Sequence, residues 1–201
     1  LLTGLVTAAS IGVVGWQGWN WYQRNQAGQA SQVYSVMQKA VLDNDAQRIK
    51  AASGELLEKY PGTAYAPLAA LTAAKVTYAA GDVKTARLQL LWVVEHGKNE
   101  LRDLARLRLA SVLLDDQAYD EALKQLDGGS SAGFVVRFQD TRGDILDAQG
   151  KTAEARAAYQ AALARLDEAE PGGKNTLQDR QANAAYRESL QQKLDALGGA
   201  S

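Results

Sequence analysis

The sequence predicts an all-α protein in which a membrane-spanning helix is followed by a right-handed solenoid of paired helices. Three observations support this prediction. The first 23 residues carry no charged side chain, proline is scarce while alanine is frequent, and small residues recur at intervals close to 34 residues. Helices accommodate alanine well and proline badly, and a fixed period of about 34 residues indicates stacked helical units.

Composition excludes several classes of protein. The 22 basic and 23 acidic residues leave a net charge of −1, so no broad positive field exists for phosphates and we expect no nucleic-acid partner. Cysteine is absent, which excludes disulfides, thiolate metal sites and cysteine nucleophiles. His96 is the only histidine, and its simplest interpretation is a solvated residue near a helix end.

The stretch 1–23 is long enough to cross a bilayer as a helix. At about 1.5 Å per residue it reaches about 34 Å, whereas a hydrocarbon core is about 30 Å thick. Trp16, Trp19, Trp21 and Tyr22 gather at its end, as amphipathic rings do at a membrane interface. We therefore predict a transmembrane anchor helix over residues 1–23, surrounded by membrane lipid.

A juxtamembrane linker is predicted over residues 24–30. A cleaved signal peptide ending near Gly28-Gln29-Ala30 is the alternative to an anchor. It is disfavoured because the apolar core of a signal peptide is shorter and is not usually closed by tryptophans. Since the chain begins at Leu1 rather than at Met, we expect further residues before it.

Small residues also follow a four-residue spacing within this first stretch. Gly4, Ala8 and Gly12 fall on one helix face, where they let another helix approach closely. We predict that this face packs against a second helix in the membrane. The alternative is that these residues reflect the ordinary frequency of Gly and Ala in membrane helices.

Residues of three kinds recur together along the rest of the chain. A small residue is followed twelve positions later by an alanine and, four positions after that, by a bulky side chain, with 34, 36 and 33 residues between successive copies. These are the small, small and bulky positions of a tetratricopeptide unit, whose two helices approach so closely that only Ala or Gly fits between them. The copies are Ala40, Ala52 and Leu56; Ala74, Ala86 and Leu90; Ala110, Ala122 and Leu126; and Gly143, Ala155 and Tyr159.

This spacing predicts four tetratricopeptide-like helix pairs within residues 28–168. Their approximate ranges are 28–60, 63–97, 99–128 and 131–168. Pro61 supports the first boundary because proline cannot continue a helix.

A last helix is predicted over residues 174–197. The breaker Glu170-Pro171-Gly172-Gly173 precedes it, and Thr176 is suited to cap its start. A solenoid needs a terminal element with one wet face to cover its last apolar surface. We therefore interpret this segment as the C-terminal capping helix.

The first helices of the pairs are predicted to line a concave groove that binds a peptide or a helix of a partner. Its early part is apolar and aromatic and its last part is charged, which favours an apolar ligand oriented by charge. The alternative is that the Leu and Tyr residues form the core between repeats. The predicted groove residues are Tyr34, Met37, Val41, Leu68, Leu71, Lys75, Tyr78, Leu104, Leu107, Ser111, Arg137, Asp140 and Asp144.

No set of residues in the sequence forms a recognisable catalytic site. Carboxylate pairs such as Asp115/Asp116 and Asp140/Asp144 lack the histidine cluster, phosphate-binding loop or nucleophile motif that would complete one. Solvated helix faces explain these acids. We predict that the protein is not an enzyme and has no cofactor, metal site or small-molecule substrate.

Several segments resemble one known family. They are 60–66 (YPGTAYA) with 68–71 (LAAL), 105–110 (ARLRLA) and 142–146 (RGDIL). Together with the order of an anchor and a short repeat domain, they make the chain similar to the YfgM-type ancillary subunit of the bacterial SecYEG translocon.

The resemblance implies an inner-membrane protein with a single membrane pass, its N-terminus in the cytoplasm and its repeats in the periplasm. It further implies partners in the SecYEG channel and in periplasmic chaperones such as a PpiD-type isomerase. The function expected is that of an adaptor linking the channel to chaperones and emerging chains. The alternative is a self-associating tetratricopeptide scaffold for envelope assembly or cell division.

Overall fold

The computed structural model describes residues 2–168 and 177–198, with only the backbone described for residues 2–15, 177, 179 and 180. Within those ranges the chain forms helices and turns and no strand, so the all-α class predicted from the sequence is confirmed. The helices are α1 (Leu2–Leu42), α2 (Ala46–Lys59), α3 (Tyr65–Ala79), α4 (Val83–His96), α5 (Asn99–Asp115), α6 (Tyr119–Gln125), α7 (Val135–Ala148), α8 (Thr152–Glu168) and α9 (Leu177–Ala196), with a 3₁₀ turn (Ala132–Phe134) before α7.

The chain divides into two compact units, Leu1–Trp92 and Val93–Ser201. In unit 1, α1 packs on α2 and α3, and α2 packs on α3. Alanine supplies five of the eight residues of the buried cluster, which lets the three helices approach closely while Met, Ile and Leu fill the space between them. The cluster comprises Ala30, Met37, Ala40, Ile49, Ala52, Leu56, Ala69 and Ala73.

Polar side chains of unit 1 connect α2 with the start of α4. Asp82 accepts hydrogen bonds from the Thr85 backbone N–H at 3.1 Å and from Lys50 Nζ at 3.0 Å. The bonds from Thr85, followed by the ammonium of Lys50, lower the pKa of Asp82 to about 2. Asp82 is therefore ionised at neutral pH, which suits a carboxylate at a helix N-terminus.

In unit 2, α7 packs on α8, α8 on α9, and α5 on α6 and α7. One buried cluster joins the last three helices and comprises Leu146, Ala155, Ala158, Tyr159, Ala162, Leu166, Leu190 and Leu194. The predicted capping segment 174–197 is observed as α9, and its residues 174–176 lie outside the described residues.

Asp103 and Arg106 of α5 hold the turn that follows α6. Asp103 is buried and accepts hydrogen bonds from the Ser131 backbone N–H at 2.8 Å and the Ser131 hydroxyl at 2.6 Å. Arg106 donates Nε to the Gln125 carbonyl at 2.7 Å and Nη1 to the Gly129 carbonyl at 2.7 Å. Because both side chains reach backbone groups, the turn is fixed by hydrogen bonds rather than by apolar packing.

Replacing Asp103 with asparagine should lower the free energy of unfolding at pH 7 by about 1.5–3 kcal/mol, as expected when hydrogen bonds lose a charged partner. Burial raises the pKa of Asp103, but the Ser131 hydrogen bonds and Arg106 outweigh it, so the folded pKa lies below the ordinary 3.8. The contribution of the charge is therefore present above that ordinary pKa and is lost as pH falls through the folded pKa. In urea unfolding, the free energies of unfolding of the parent protein and of Asp103→Asn should differ less at about pH 2.5 than at pH 7. An equal difference at both pH values would contradict this account.

All twelve repeat positions identified in the sequence are buried. Eleven of them expose at most 7% of their surface. The twelfth, Gly143, is buried as well. A Cβ added to Gly143 would lie 2.8 Å from Cζ of Tyr159 and closer still to its Cε1 and Cδ1. The prediction that these small side chains allow close helix packing is confirmed.

The structure bears on two predictions for the N-terminal segment. Among the residues that the structure describes, none of the helices combines the length and the apolar character needed to cross a membrane. The predicted anchor over 1–23 is therefore not confirmed. The predicted linker over 24–30 is helical, since α1 continues through it to Leu42 without a proline to stop it.

Candidate partner-binding site

A cleft of about 410 Å³ lies between α1 and α3 in unit 1. Its walls are largely apolar. Tyr34, Met37 and Val41 of α1, all predicted as groove residues, line it together with three residues that the sequence analysis did not single out. These are Gln38 and Leu42 of α1 and Thr72 of α3.

Helical spacing explains how α1 forms its side of the cleft. Residues 37 and 38 lie three and four positions after 34, and residues 41 and 42 lie three and four positions after 38, so all five share one face of the helix. Met37 is 1% exposed and belongs to the floor, whereas Val41 is 38% and Leu42 82% exposed and belong to the rim. The Tyr34 ring is held against the Tyr65 ring, with centroids 5.3 Å apart. The same spacing rule applied to Tyr34 would have identified Gln38 and Leu42 from the sequence.

The predicted groove residues of α3 extend this surface. Leu68 is half-buried and Leu71 is buried, whereas Lys75 is exposed and Tyr78 is 38% exposed. Lys75 follows Thr72 by three residues and therefore lies on the same helix face. Lys75 is the only charged residue of α3, so the charge beside the cleft on this helix is positive.

In unit 2 the predicted groove residues of α5 are partly buried or hydrogen-bonded within their own helix. Leu107 is buried and Leu104 half-buried. The exposed Ser111 donates its hydroxyl to the Leu107 carbonyl at 3.1 Å, a bond within its own helix. These three residues do not form a cleft comparable to that of unit 1 among the described residues.

The acidic pair of α7 is engaged by α9. Lys193 Nζ lies 2.7 Å from Asp140 Oδ1 and 2.6 Å from Asp144 Oδ1. Tyr186 donates its hydroxyl to Asp140 and Tyr159 donates its hydroxyl to Asp144, both at 2.8 Å. A partner that used these carboxylates would have to displace Lys193.

The pKa shifts of Lys193, Tyr159 and Tyr186 favour their pairing with the two carboxylates. Burial lowers the pKa of Lys193, but hydrogen bonds to the two carboxylates outweigh it and the pKa is raised. Burial and the bond to Asp144 raise the pKa of Tyr159, and burial with the Asp140 charge raises that of Tyr186. Both phenols therefore stay protonated as donors at neutral pH. Arg137, the remaining predicted groove residue of α7, is exposed.

The predicted membrane-packing residues Gly4, Ala8 and Gly12 belong to α1, but their side chains lie outside the described residues. Farther along α1, Trp16, Trp19 and Trp21 expose 67%, 61% and 69% of their surface and Tyr22 exposes 49%. An aromatic surface of this size on one helix is typical of a contact with a membrane interface or with another protein.

Comparison with known proteins finds a matching family and a similar relative. A family model for the tetratricopeptide repeat-like domain matches residues 1–199. An ancillary SecYEG translocon subunit of Neisseria gonorrhoeae is 32% identical over 198 residues, covering 98% of this chain and 88% of the relative.

Two solved structures share the fold. The MamA 41-end chain from Desulfovibrio magneticus RS-1 has a TM-score of 0.55 at 16% identity, covering 85% of this chain and 97% of that one. A MamA RS-1 double mutant has a TM-score of 0.52 at 18% identity, covering 84% and 94%. At such identities the likeness concerns the fold alone. The family match and the translocon relative, which spans nearly the whole chain, show that this chain belongs to the tetratricopeptide repeat-like ancillary SecYEG translocon subunit family.

Proposed function

We propose that this chain is a non-catalytic adaptor that acts beside the Sec translocon and holds apolar polypeptide segments in the cleft of unit 1. The observation that carries the proposal is the cleft itself, whose lining residues Tyr34, Met37 and Val41 are half-buried, buried and exposed in turn. Such a surface offers an apolar floor with an accessible rim, which is what a groove for an apolar helix or strand requires. The relative named as a translocon subunit supports the location.

The partners proposed are the SecYEG channel, emerging chains and periplasmic chaperones such as a PpiD-type isomerase. In this arrangement the protein is located at the bacterial inner membrane and its helix pairs lie on the periplasmic side. The exposed tryptophans of α1 support a place at the membrane surface, because indole rings favour the interface. Lys75 would orient a bound segment through an acidic group of that segment.

The cleft can be tested by site-specific photocrosslinking in membranes. A photoreactive amino acid at Leu42 on the rim is expected to capture translocon subunits, chaperones or emerging chains. The control position is Leu88 of α4, which is apolar and 59% exposed but does not line the cleft. If both positions captured the same proteins with equal yield, or if Leu42 captured only this chain, the adaptor role of the cleft would be refuted.

The double variant Val41→Ser/Leu42→Ser is expected to lower capture of those partners by at least about tenfold, since fully burying one apolar side chain against a ligand contributes about 1.5–3 kcal/mol and about 1.4 kcal/mol already corresponds to tenfold. Both side chains are exposed, so the free energy of unfolding should change by no more than about 0.5 kcal/mol for each. Quantitative co-purification with the channel, alongside Leu88→Ser as the matched control, measures the effect. Full retention of the partners by the double variant would contradict the proposal.

A further inference from the structure

We propose that the surface formed by α1 and α2 in unit 1 is a two-fold interface between two copies of this chain. This surface is distinct from the partner-binding cleft, and the inference does not rest on the proposed function. Successive residues of a helix are about 100° apart, so Val36 lies about 200° around α1 from Tyr34. The surface therefore occupies the other side of α1.

The surface is concave and apolar at its centre. A cleft of about 390 Å³ is lined by Gln32, Val33 and Val36 of α1 and by Arg48, Ala51, Ala52 and Glu55 of α2. Val36 is 57% exposed although its neighbour Val33 is packed against the core. Since a repeat of helix pairs buries its faces against neighbouring pairs, an apolar face at the first pair is a site for another helical element.

The side chains at the centre of α2 permit close approach. Ala51 is exposed and Ala52 is 7% exposed, so no long side chain separates the α2 backbone from a helix placed over them. Interaxial distances of packed helices depend on the side chains at the contact and fall to about 8 Å when these are small. The centre of the face therefore suits a second helix.

The charges on this face identify a second copy as the occupant. Arg48 and Glu55 lie on it with opposite signs, equally far from the midpoint between Ala51 and Ala52. Read in the opposite direction, these two signs are exchanged. Two α2 helices that cross antiparallel about an axis between Ala51 and Ala52 would thus place each Arg48 opposite Glu55 of the other copy.

The outer charges do not add to this attraction, because the same axis places Asp45 opposite the exposed Glu58 of the other copy. The side chains of Asp45, Arg48, Glu55 and Lys59 are 36–65% exposed, and Arg48 pairs with Asp45 at 3.4 Å and Lys59 with Glu55 at 3.0 Å. Across a two-fold axis, Arg48 of each copy would also face Glu55 of the other copy, with one such pair on each side of the apolar centre. Exposed pairs of this kind contribute modestly, so the apolar centre must supply most of the attraction.

The size of the surface determines how strongly two copies are expected to associate. α2 is about 21 Å long, and two adjacent helices are about 20 Å wide, which gives a footprint of about 420 Å² on each copy and about 840 Å² for the pair of copies. This area is smaller than that of stable interfaces and is typical of weak, transient contacts. We therefore expect a dimer that dissociates in the micromolar range.

The absence of cysteine from the chain allows a direct test by disulfide crosslinking. In the full chain carrying Ala51→Cys, oxidation at 10–50 micromolar protein, about the expected dissociation range, should join two copies through their introduced thiols, because only a two-fold contact brings a residue close to itself. The matched control is Ala157→Cys, an exposed alanine in α8 of unit 2. At least about tenfold more crosslinked dimer from Ala51→Cys supports the interface. Equal yields from the two variants would overturn it.

A charge exchange provides the second test. Sedimentation of the full chain should show that Arg48→Glu and Glu55→Arg each weaken association about tenfold, since like charges then face each other. The double variant Arg48→Glu/Glu55→Arg should restore it, because opposite charges face each other again. All variants retain the exposed tryptophans, so differences between them report on α2. A monomeric parent chain at about 100 micromolar, or no recovery in the double variant, would refute the interface.

Discussion

Replacing Arg106 with methionine is expected to lower the free energy of unfolding by about 3–5 kcal/mol, the largest effect we predict for a single side chain. The variant would leave the buried Asp103 without its cation and would free the carbonyls of Gln125, Asp127 and Gly129 from their donor. It would also remove the guanidinium from the Phe138 ring, whose centroid lies 4.8 Å away. Methionine keeps much of the side-chain volume, so the loss can be attributed to the polar groups.

Arg165→Met is the matched control for this experiment. Arg165 pairs with Glu168 at 2.7 Å on the surface, where both side chains are more than half exposed. Removing an exposed pair of this kind should change the free energy of unfolding by less than about 1 kcal/mol. Urea unfolding followed by circular dichroism measures both variants. Similar losses from the two substitutions would mean that the Arg106 hydrogen bonds contribute little to the stability of unit 2.

Gly143→Ala is expected to lower the free energy of unfolding by about 1–3 kcal/mol, even though alanine is the better helix former. The added methyl group would lie within 3 Å of three atoms of the Tyr159 ring. Tyr159 is 2% exposed and its hydroxyl is bonded to Asp144, so the ring cannot turn away without breaking that bond. Thermal or urea unfolding of the full chain measures the loss.

The control for Gly143→Ala is the same substitution at Gly54. Gly54 of α2 has no atom within 4 Å of an added Cβ. Gly54→Ala should therefore be neutral or should stabilise the protein by up to about 1 kcal/mol, since alanine restricts the unfolded chain. If Gly143→Ala behaved like Gly54→Ala, the close approach of α7 and α8 would not depend on the missing side chain.

Much of the helical arrangement could be predicted from the spacing of small residues. Ala52, Ala86, Ala122 and Ala155 are all buried, because a repeated pair of helices needs a small side chain at the same place in every copy. The apolar part of the candidate site could be predicted equally well. Tyr34, Met37 and Val41 share one face of one helix, and a helical face can be identified from local spacing alone.

The acidic part of the predicted groove could not be assigned in the same way. Asp140 and Asp144 are bound by Lys193, which is 53 and 49 residues away along the chain. A lysine on a distant helix leaves no local signal next to the carboxylates that it binds. The sequence therefore predicted a ligand-binding surface at these carboxylates, whereas in the structure a lysine of α9 binds them.

The amino-acid sequence by itself determined the all-α class and the repeat of small and bulky positions. These follow from the spacing of residues within single helices and between equivalent positions, and such spacing is fixed by 3.6 residues per turn. Only the tertiary structure decided that α1 continues through residues 24–30, that Asp103 and Arg106 fix a turn, and that α9 engages the carboxylates of α7. The physical reason is that pairing between distant side chains depends on how helices pack, and packing brings together residues that have no relation in the linear order of the chain.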